Sequence, residues 1–358
     1  MPGFDIIVTE TTTVELEVDL TYMQQQQQYD MLIKDLKIVN TYYSDSEEEY
    51  GTETTRTFHE NVDEKYLFPI DKVRVVLCSE EEEEENSLKL LVVSLNTKDW
   101  VYHQHEMLKA SLDDQIFLAP IKPDEIKHVL DIGSGHGKWA VDFASEHPNT
   151  QVIGTDLSLP TRESVPENCK FVIADAEEPW QFPHKFDFII LRDLMMCFSD
   201  QKEVFRSAFD ALEPGGYCEI LDAKLPLNSI DDSMEGSAVA QWFQACVEAG
   251  ESGGRPWTNI PKYREWMDDI GFEEVTETVY DAPINDWPIG VKEKKVGAMM
   301  QKDMKEFLYS TKRLIVEGLK WDEAVVSKLL NEAKKSGKDR NVHAYVPIYV
   351  VWGRKPSK

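Results

Sequence analysis

From residue 128 onward the chain alternates short apolar runs with helix-like stretches, and few folds accommodate that pattern. HVLDIG, QVIGTDL, KFVIAD, FDFIILRD and YCEILDA are each a few apolar residues long and end in an acidic or glycine-rich turn. They do not alternate apolar with polar, as expected for strands buried on both faces. WAVDFASEH and QKEVFRSAFDALEPGG read as helices between them, the second predicted to close at Pro214, Gly215 and Gly216. Strands joined by helical connections imply a parallel sheet with right-handed crossovers. FEEVTETVYDAP and HAYVPIYVVWGRKP read as two longer strands near the end. The expected fold is therefore α/β, a doubly wound, mostly parallel sheet of seven strands. Between the last two strands, Trp287 to Lys338 reads as helical, too long for a hairpin connection and suited to a lid or a packing appendage. Residues 101–118 read as a further helix with Met107, Leu108, Leu112 and Phe117 on its apolar face.

The preceding part of the chain is different. Residues 1–100 carry 23 Asp and Glu against 8 Lys and Arg, a net of −15 out of −28 for all 358 residues. Glu47 to Glu49, Glu80 to Glu85 and the run Gln24 to Gln28 have the composition of a solvated, loosely ordered segment. The expected organisation is an acidic arm over 1–57, a cap region over 58–120 and a ligand-binding domain over 121–358, with a helical insertion at 283–340. VRVVLC and LKLLVVSL flank the six glutamates, which suits either a hairpin or an insertion within 72–99. So acidic a chain is not expected to grip nucleic acid, which requires clustered Lys and Arg. The acidic arm is a candidate docking segment for a protein partner. No run approaches the roughly 20 apolar residues of a membrane span, and five dispersed cysteines point to reduced thiols. The expected compartment is cytoplasmic, with the nucleus as the alternative.

The chemistry concentrates in VLDIGSGHG, Val129 to Gly137. Gly133, Gly135 and Gly137 let the backbone turn sharply and approach a ligand closely. A dinucleotide fold expects G-x-G-x-x-G and a helix end facing a pyrophosphate. Here the spacing is G-x-G-x-G, and Asp131 stands before the loop. A carboxylate there repels phosphate and suits the ammonium of a methionine moiety, as in S-adenosyl-L-methionine. Asp156 ends the second strand, placed for ribose hydroxyls. Asp175 and Ala176 follow the third, a carboxylate for an adenine amino group beside a residue small enough to admit the ring. Four such features at the carboxyl ends of successive strands mark the crevice where open α/β sheets bind ligands.

With these residues, the chain resembles a class I methyltransferase (Rossmann-like) and is similar to the LaeA-like fungal family. The resemblance is carried by HVLDIGSGHGKWAVDFASEHP, QVIGTDLS, DAEEPWQFP at 175–183, FDFIILRDLM, LEPGGYCEILD and HAYVPIYVVWGRKP, with RTFHENVDEKYLFP and QHEMLKASLDDQIFLAPI upstream. It spans about 56–358 with a gap near 72–99. It implies S-adenosyl-L-methionine as methyl donor, bound by Asp131, Gly133, Gly135, Asp156, Asp175 and Ala176, with Arg192 at the boundary between cofactor and acceptor.

An oxygen acceptor benefits from a general base, and His serves near neutral pH. His105 is the candidate base or positioning residue, with Glu106 beside it; His103 and His136 are lesser options. No metal is called for. The fourth strand ends Leu191-Arg192-Asp193 and lacks the Asn/Asp-Pro-Pro-aromatic signature of amino-methylating enzymes acting on adenine or glutamine. Trp242, Trp257, Trp266, Trp287, Tyr309 and Trp321 are available either for core packing or as the wall of an apolar pocket. The expected activity is methylation of a small secondary metabolite, most readily at oxygen. The alternative is a nuclear regulator of secondary metabolism working through protein partners.

Overall fold

The computed structural model describes residues 98–160 and 164–358, together with the backbone of 74–78 and 89–93; side chains are described from His103 onward. Strand β1 (Arg74–Cys78) pairs antiparallel with β2 (Lys89–Val93), Arg74 opposite Val93 and Cys78 opposite Lys89. This antiparallel pairing agrees with a hairpin, which an insertion within 72–99 would equally allow, and the two strands belong to a different compact unit from residues 97–358. The acidic arm and Glu80 to Glu85 lie outside the described residues.

The larger unit begins with α1 (Lys98–Ser111) and then follows the predicted alternation. In order come β3 (His128–Ile132), α2 (Lys138–Glu146), β4 (Gln151–Asp156), β5 (Cys169–Ile173), β6 (Phe186–Arg192), α3 (Gln201–Ala211) and β7 (Leu212–Ala223). After the short β8 (Asn228–Ser229) come α4 (Ala238–Ser252), α5 (Tyr263–Ile270) and β9 (Glu273–Pro283). Three helices, α6 (Val291–Ser310), α7 (Lys312–Leu319) and α8 (Glu323–Ser336), precede the final β10 (Ala344–Arg354).

The sheet runs β5-β4-β3-β6-β7-β10, with β9 on the far side of β10 and β8 paired to the end of β10. Strands β3 to β7 are parallel and β10 is antiparallel to both its neighbours. Strand order reverses between β3 and β6, which opens a crevice at the carboxyl ends of these two strands. Side chains alternate across the sheet as the period of two requires. Phe188 and Ile190 join one apolar cluster with Trp139 and Phe143 of α2, whereas Ile189 and Leu191 join the larger cluster on the opposite face. Each fully buried Phe is worth about 1.5–3 kcal/mol, so both faces of β6 hold the layers together.

Two element ends differ from the sequence reading. Helix α1 stops at Ser111, not near residue 118, because Asp113 and Asp114 take left-handed backbone angles (φ 56° and 63°). Phe117 still reaches the core, from a loop, with its ring against Phe143 and Phe188. Helix α3 ends at Ala211, and Leu212 to Gly216 already belong to the extended chain of β7.

Helices α1 and α6 pack on each other above the crevice, joined at the surface by a Lys292–Asp113 ion pair. Gly297 sets the height of α6: a Cβ there would collide with the Asn285 backbone carbonyl. Asn285 is itself fixed, since its side-chain amide donates to the carbonyls of Gly337 and Asp339 at 3.2 Å. We expect Gly297→Ala to push α6 outward and to destabilise the protein by about 1–3 kcal/mol, read as a lowered urea midpoint. An unchanged midpoint would mean that α6 is not seated by this contact.

Candidate functional site

The loop after β3 is built by its own backbone. Ser134 N–H donates to Thr155 O (2.9 Å) and Gly137 N–H to Ser134 O (2.7 Å). Gly133 and Gly135 have φ of 63° and 52°, angles that L side chains rarely adopt. A Cβ on Gly133 would strike Leu194, whereas one on Gly135 would enter open space. Asp156 braces the loop from the next strand, accepting from Gly135 N–H at 2.9 Å and from Ser158 N–H at 3.1 Å.

Around this loop lies a cavity of about 220 Å³, on a scale where one water takes about 10–15 Å³. One end is polar, formed by Asp131, Gly133, Ser134, Gly135, Asp156, Arg192 and Lys138. A smaller neighbouring recess shares Gly133 and Asp156 with it and adds Asp175, Ala176 and Glu177. The other end is apolar, walled by Met107 of α1, Met195, Met196, Leu225 and Phe243, and by Met300, Met304 and Phe307 of α6. Asp193 and Asp303 also line it.

Asp131 is 2% exposed, and one of its carboxyl oxygens has no hydrogen-bond partner among the described residues. Burial pushes its carboxyl up to about 7; Arg192 draws it back and Asp156 adds to the rise. A buried polar atom left unpaired costs about 1–3 kcal/mol, a cost that a ligand's ammonium would offset. The Nε–H of Arg192 is likewise buried without a hydrogen-bond partner among the described residues. An unpaired acid beside an unpaired guanidinium N–H suits the ammonium and carboxylate of an amino-acid group, which is what the methionine part of S-adenosyl-L-methionine presents. The residues present therefore fit that cofactor.

Helix α1 reaches the same corner. The Gln104 side-chain amide donates to Asp193, and the Arg192 guanidinium donates to His105 Nδ1 at 3.2 Å. Arginine only donates, so Nδ1 is the accepting nitrogen and His105 carries its proton on Nε2. That nitrogen lies 3.1 Å from Asp142 Oδ2, within ion-pair range but off the axis of a hydrogen bond. Burial lowers the His105 pKa, opposed by Asp142. Burial also pushes Asp142 upward, but His105 and Lys138 outweigh it and hold the carboxyl at about 2. His105, Glu106 and Asp142 converge as metal ligands do. Lys138 already supplies a cation there, 2.5 Å from Asp142 and 3.9 Å from Glu106.

The structure thus gathers Asp131, Gly133, Gly135, Asp156, Arg192 and His105 around one cavity, and Asp175 and Ala176 around the adjoining recess. Two candidates fall elsewhere. Gly137 lines neither space, and its missing side chain makes room for the Phe171 ring. Glu106 faces Lys138 and is not part of the cavity wall. Both nitrogens of His105 already face protein groups, which suits orienting Arg192 better than taking a proton from an acceptor. His103 and His136 are absent from the wall, as are Trp242 and Trp257, which are core residues, and Trp266, which packs against the core. Gln104, Lys138, Asp193, Asp303 and the methionines of α6 are wall residues that no motif singles out. A signal for Asp303 is its place as an acid inside the apolar spacing of Val296, Met300, Met304 and Phe307.

A profile described as "Methyltransferase domain" matches residues 103–277. The probable methyltransferase tdiE of Emericella nidulans is 31% identical over 258 residues, covering 71% of this chain and 80% of that protein. The secondary metabolism regulator laeA of Aspergillus flavus is 26% identical over 331 residues, covering 89% and 82%. Among solved structures, phosphoethanolamine N-methyltransferase 2 of Haemonchus contortus, in complex with S-adenosyl-L-methionine, aligns with a TM-score of 0.42 at 20% identity, over 72% of this chain and 53% of that one.

Asp131, Glu219 and Asp222 are each pushed up to about 7 and Asp303 to about 8, with burial the largest cause in all four. The unfolded values are 3.8 for Asp and 4.5 for Glu. An acid whose folded pKa is raised holds its proton more tightly when folded. Its stabilising contribution is therefore full below its unfolded pKa and is lost as pH rises through the folded one. The ligand-free protein is expected to lose stability steadily between about pH 5 and about pH 8, measured as a falling urea midpoint. A midpoint that rises across that window would contradict the burial of these four acids.

Proposed function

Because the chain belongs to the class I S-adenosylmethionine-dependent methyltransferases, within the LaeA-like fungal family, we propose that it methylates a small secondary metabolite, most readily at an oxygen. The observation that carries this reading is the shape of the cavity: its polar end opens directly into an apolar end enclosed by α1, α6 and the sheet. Asp131 would hold the cofactor's ammonium, Arg192 its carboxylate and Asp156 its ribose hydroxyls. Asp175 and Ala176 would meet the adenine in the recess. Gly133 and Gly135 would allow the backbone close approach. When bound, S-adenosyl-L-methionine supplies a methyl group activated on a sulfonium.

The chain's own contribution to such a transfer is orientation and exclusion of water, since an in-line displacement depends on how the two reactants are held. His105 acts as a positioning residue, fixing the Arg192 guanidinium from α1, while Asp142 and Lys138 fix His105 in turn. Gln104 does the same for Asp193. The methionines of α1 and α6 keep the acceptor end dry. No helix among the described residues is long and apolar enough to cross a membrane, and the proposed acceptor is a diffusible small molecule met in the cytoplasm. A second reading is favoured by the likeness to laeA of Aspergillus flavus over 89% of this chain: a regulator, in the nucleus, acting through protein partners that dock on the acidic arm.

Calorimetric titration with S-adenosylhomocysteine tests the cofactor step on which the enzyme reading depends. Micromolar binding is expected, and Asp156→Ala should weaken it by about 1–3 kcal/mol through a lost charge-assisted bond. Unchanged affinity would remove Asp156 from the site. A folded protein that binds none would overturn the enzyme reading.

A further inference from the structure

Helix α6 presents Met300, Asp303, Met304 and Phe307 to the apolar end of the cavity. Three of these suit such a wall, and the fourth does not. Asp303 is 6% exposed, and among the described residues neither of its carboxyl oxygens has a hydrogen-bond partner. The buried acids of β7 are supported by donors from the fold. Asp222 accepts from Leu194 N–H, Met195 N–H and the Tyr263 hydroxyl at 2.7, 3.1 and 2.8 Å. Glu219 accepts from Leu118 N–H and Ala119 N–H at 2.7 and 2.6 Å. Asp303 has nothing equivalent, and its charged surroundings are mixed: Asp193 and Glu306 oppose ionisation while Lys302 favours it. A leucine at this point of the stripe would pack without desolvating a carboxyl. The fold carries a cost here that no hydrogen bond among the described residues offsets.

We infer that Asp303 anchors the methyl acceptor, accepting a hydrogen bond from an O–H or N–H on an otherwise apolar, ring-sized molecule held against the methionines of α1 and α6. The flat wall for such a ring is at hand, since Phe243 and Phe307 stack with centroids 5.0 Å apart and planes 5° from parallel. Methionine side chains adapt to the outline of a ligand at little cost, so this end selects for an apolar body and one donor more than for a unique shape. Charge narrows the class further. Asp131, Asp156, Asp193 and Asp303 line the cavity against Arg192 and Lys138, and Asp303 lies in the apolar end. With Asp303 ionised, a neutral or protonated donor is compatible with that end, and a free carboxylate or phosphate on the acceptor is not.

This assignment rests on the methyltransferase reading, so the test keeps the two apart. The full chain is saturated with S-adenosylhomocysteine, followed calorimetrically. It is then titrated with a probe series on one bicyclic frame: naphthol, naphthylmethylamine, naphthyl methyl ether and naphthoate, read by probe fluorescence. Naphthol and the protonated amine are expected to bind about tenfold more tightly than the ether, the size of one buried hydrogen bond, with naphthoate weakest. In Asp303→Leu the donor preference should vanish while affinity for S-adenosylhomocysteine stays the same, and the urea midpoint should rise because an unpaired buried carboxyl has gone. Asp303→Asn, which keeps the size and one accepting oxygen, should retain the preference for naphthol and lose that for the amine. A wild-type protein that does not distinguish naphthol from its ether, or a preference that survives Asp303→Leu, overturns the anchor while leaving the methyltransferase reading intact. Failure of the folded wild type to bind S-adenosylhomocysteine overturns that reading instead, and is seen in the separate calorimetric titration.

Discussion

Four carboxylates crowd around the guanidinium of Arg192 at the end of β6: Asp131, Asp142, Asp193 and Glu219 all act on its charge. Parallel strands bring their carboxyl ends to one side of a sheet, so acids that end successive strands are forced into the same small volume. Desolvation there raises the pKa of Asp131, Asp193 and Glu219, and Arg192 pulls each of them back. Burying charges without a counter-charge costs several kcal/mol per ion, and the guanidinium is what makes this crowding tolerable. Its position is in turn held by His105, and with the Gln104–Asp193 bond beside it this ties the cap helix α1 to the end of β6 at the centre of the site.

Division of labour between the two ends of the cavity follows from where their residues come from. The polar end is made by strand ends and the loop after β3, elements held on both sides by backbone pairing. The apolar end is made largely by helices, α1, α4 and α6, whose positions depend on packing. The end proposed to hold the cofactor thus sits on the rigid part of the molecule. The surface that would discriminate acceptors sits on the part that substitutions can reshape without disturbing the sheet.

What the sequence disclosed and what it withheld divide along the same line. Asp131, Gly133, Gly135 and Asp156 were legible because a tight turn at a strand end is a local event with local residue requirements. Gly137 belongs to the same loop but answers to Phe171, a residue on another strand, and nothing in the spacing distinguishes ligand from neighbouring ring. Glu106 and His105 are adjacent on α1, yet only the rotation of that helix against β6 decides that His105 faces inward. Asp193 and Asp303 acquire meaning only once β6 and α6 share a cavity. The end of α1 was misjudged because Asp113 and Asp114 take left-handed angles, while Phe117 continues the apolar pattern from a loop.

Strand β10 lies between β7 and β9, with Ile348 opposite Ala223 on one side and Tyr280 on the other. More than a hundred residues separate β7 from this neighbour, a long-range pairing of the kind that slows folding. Until residues 344–354 have been made and threaded into place, β7 offers an unpaired apolar edge to whatever strand is near. Val346 and Ile348 also line the cavity. A nascent chain can therefore form its glycine loop well before the apolar wall is finished, and β10, made long after β3, fills the gap between β7 and β9 and completes the pocket in one step.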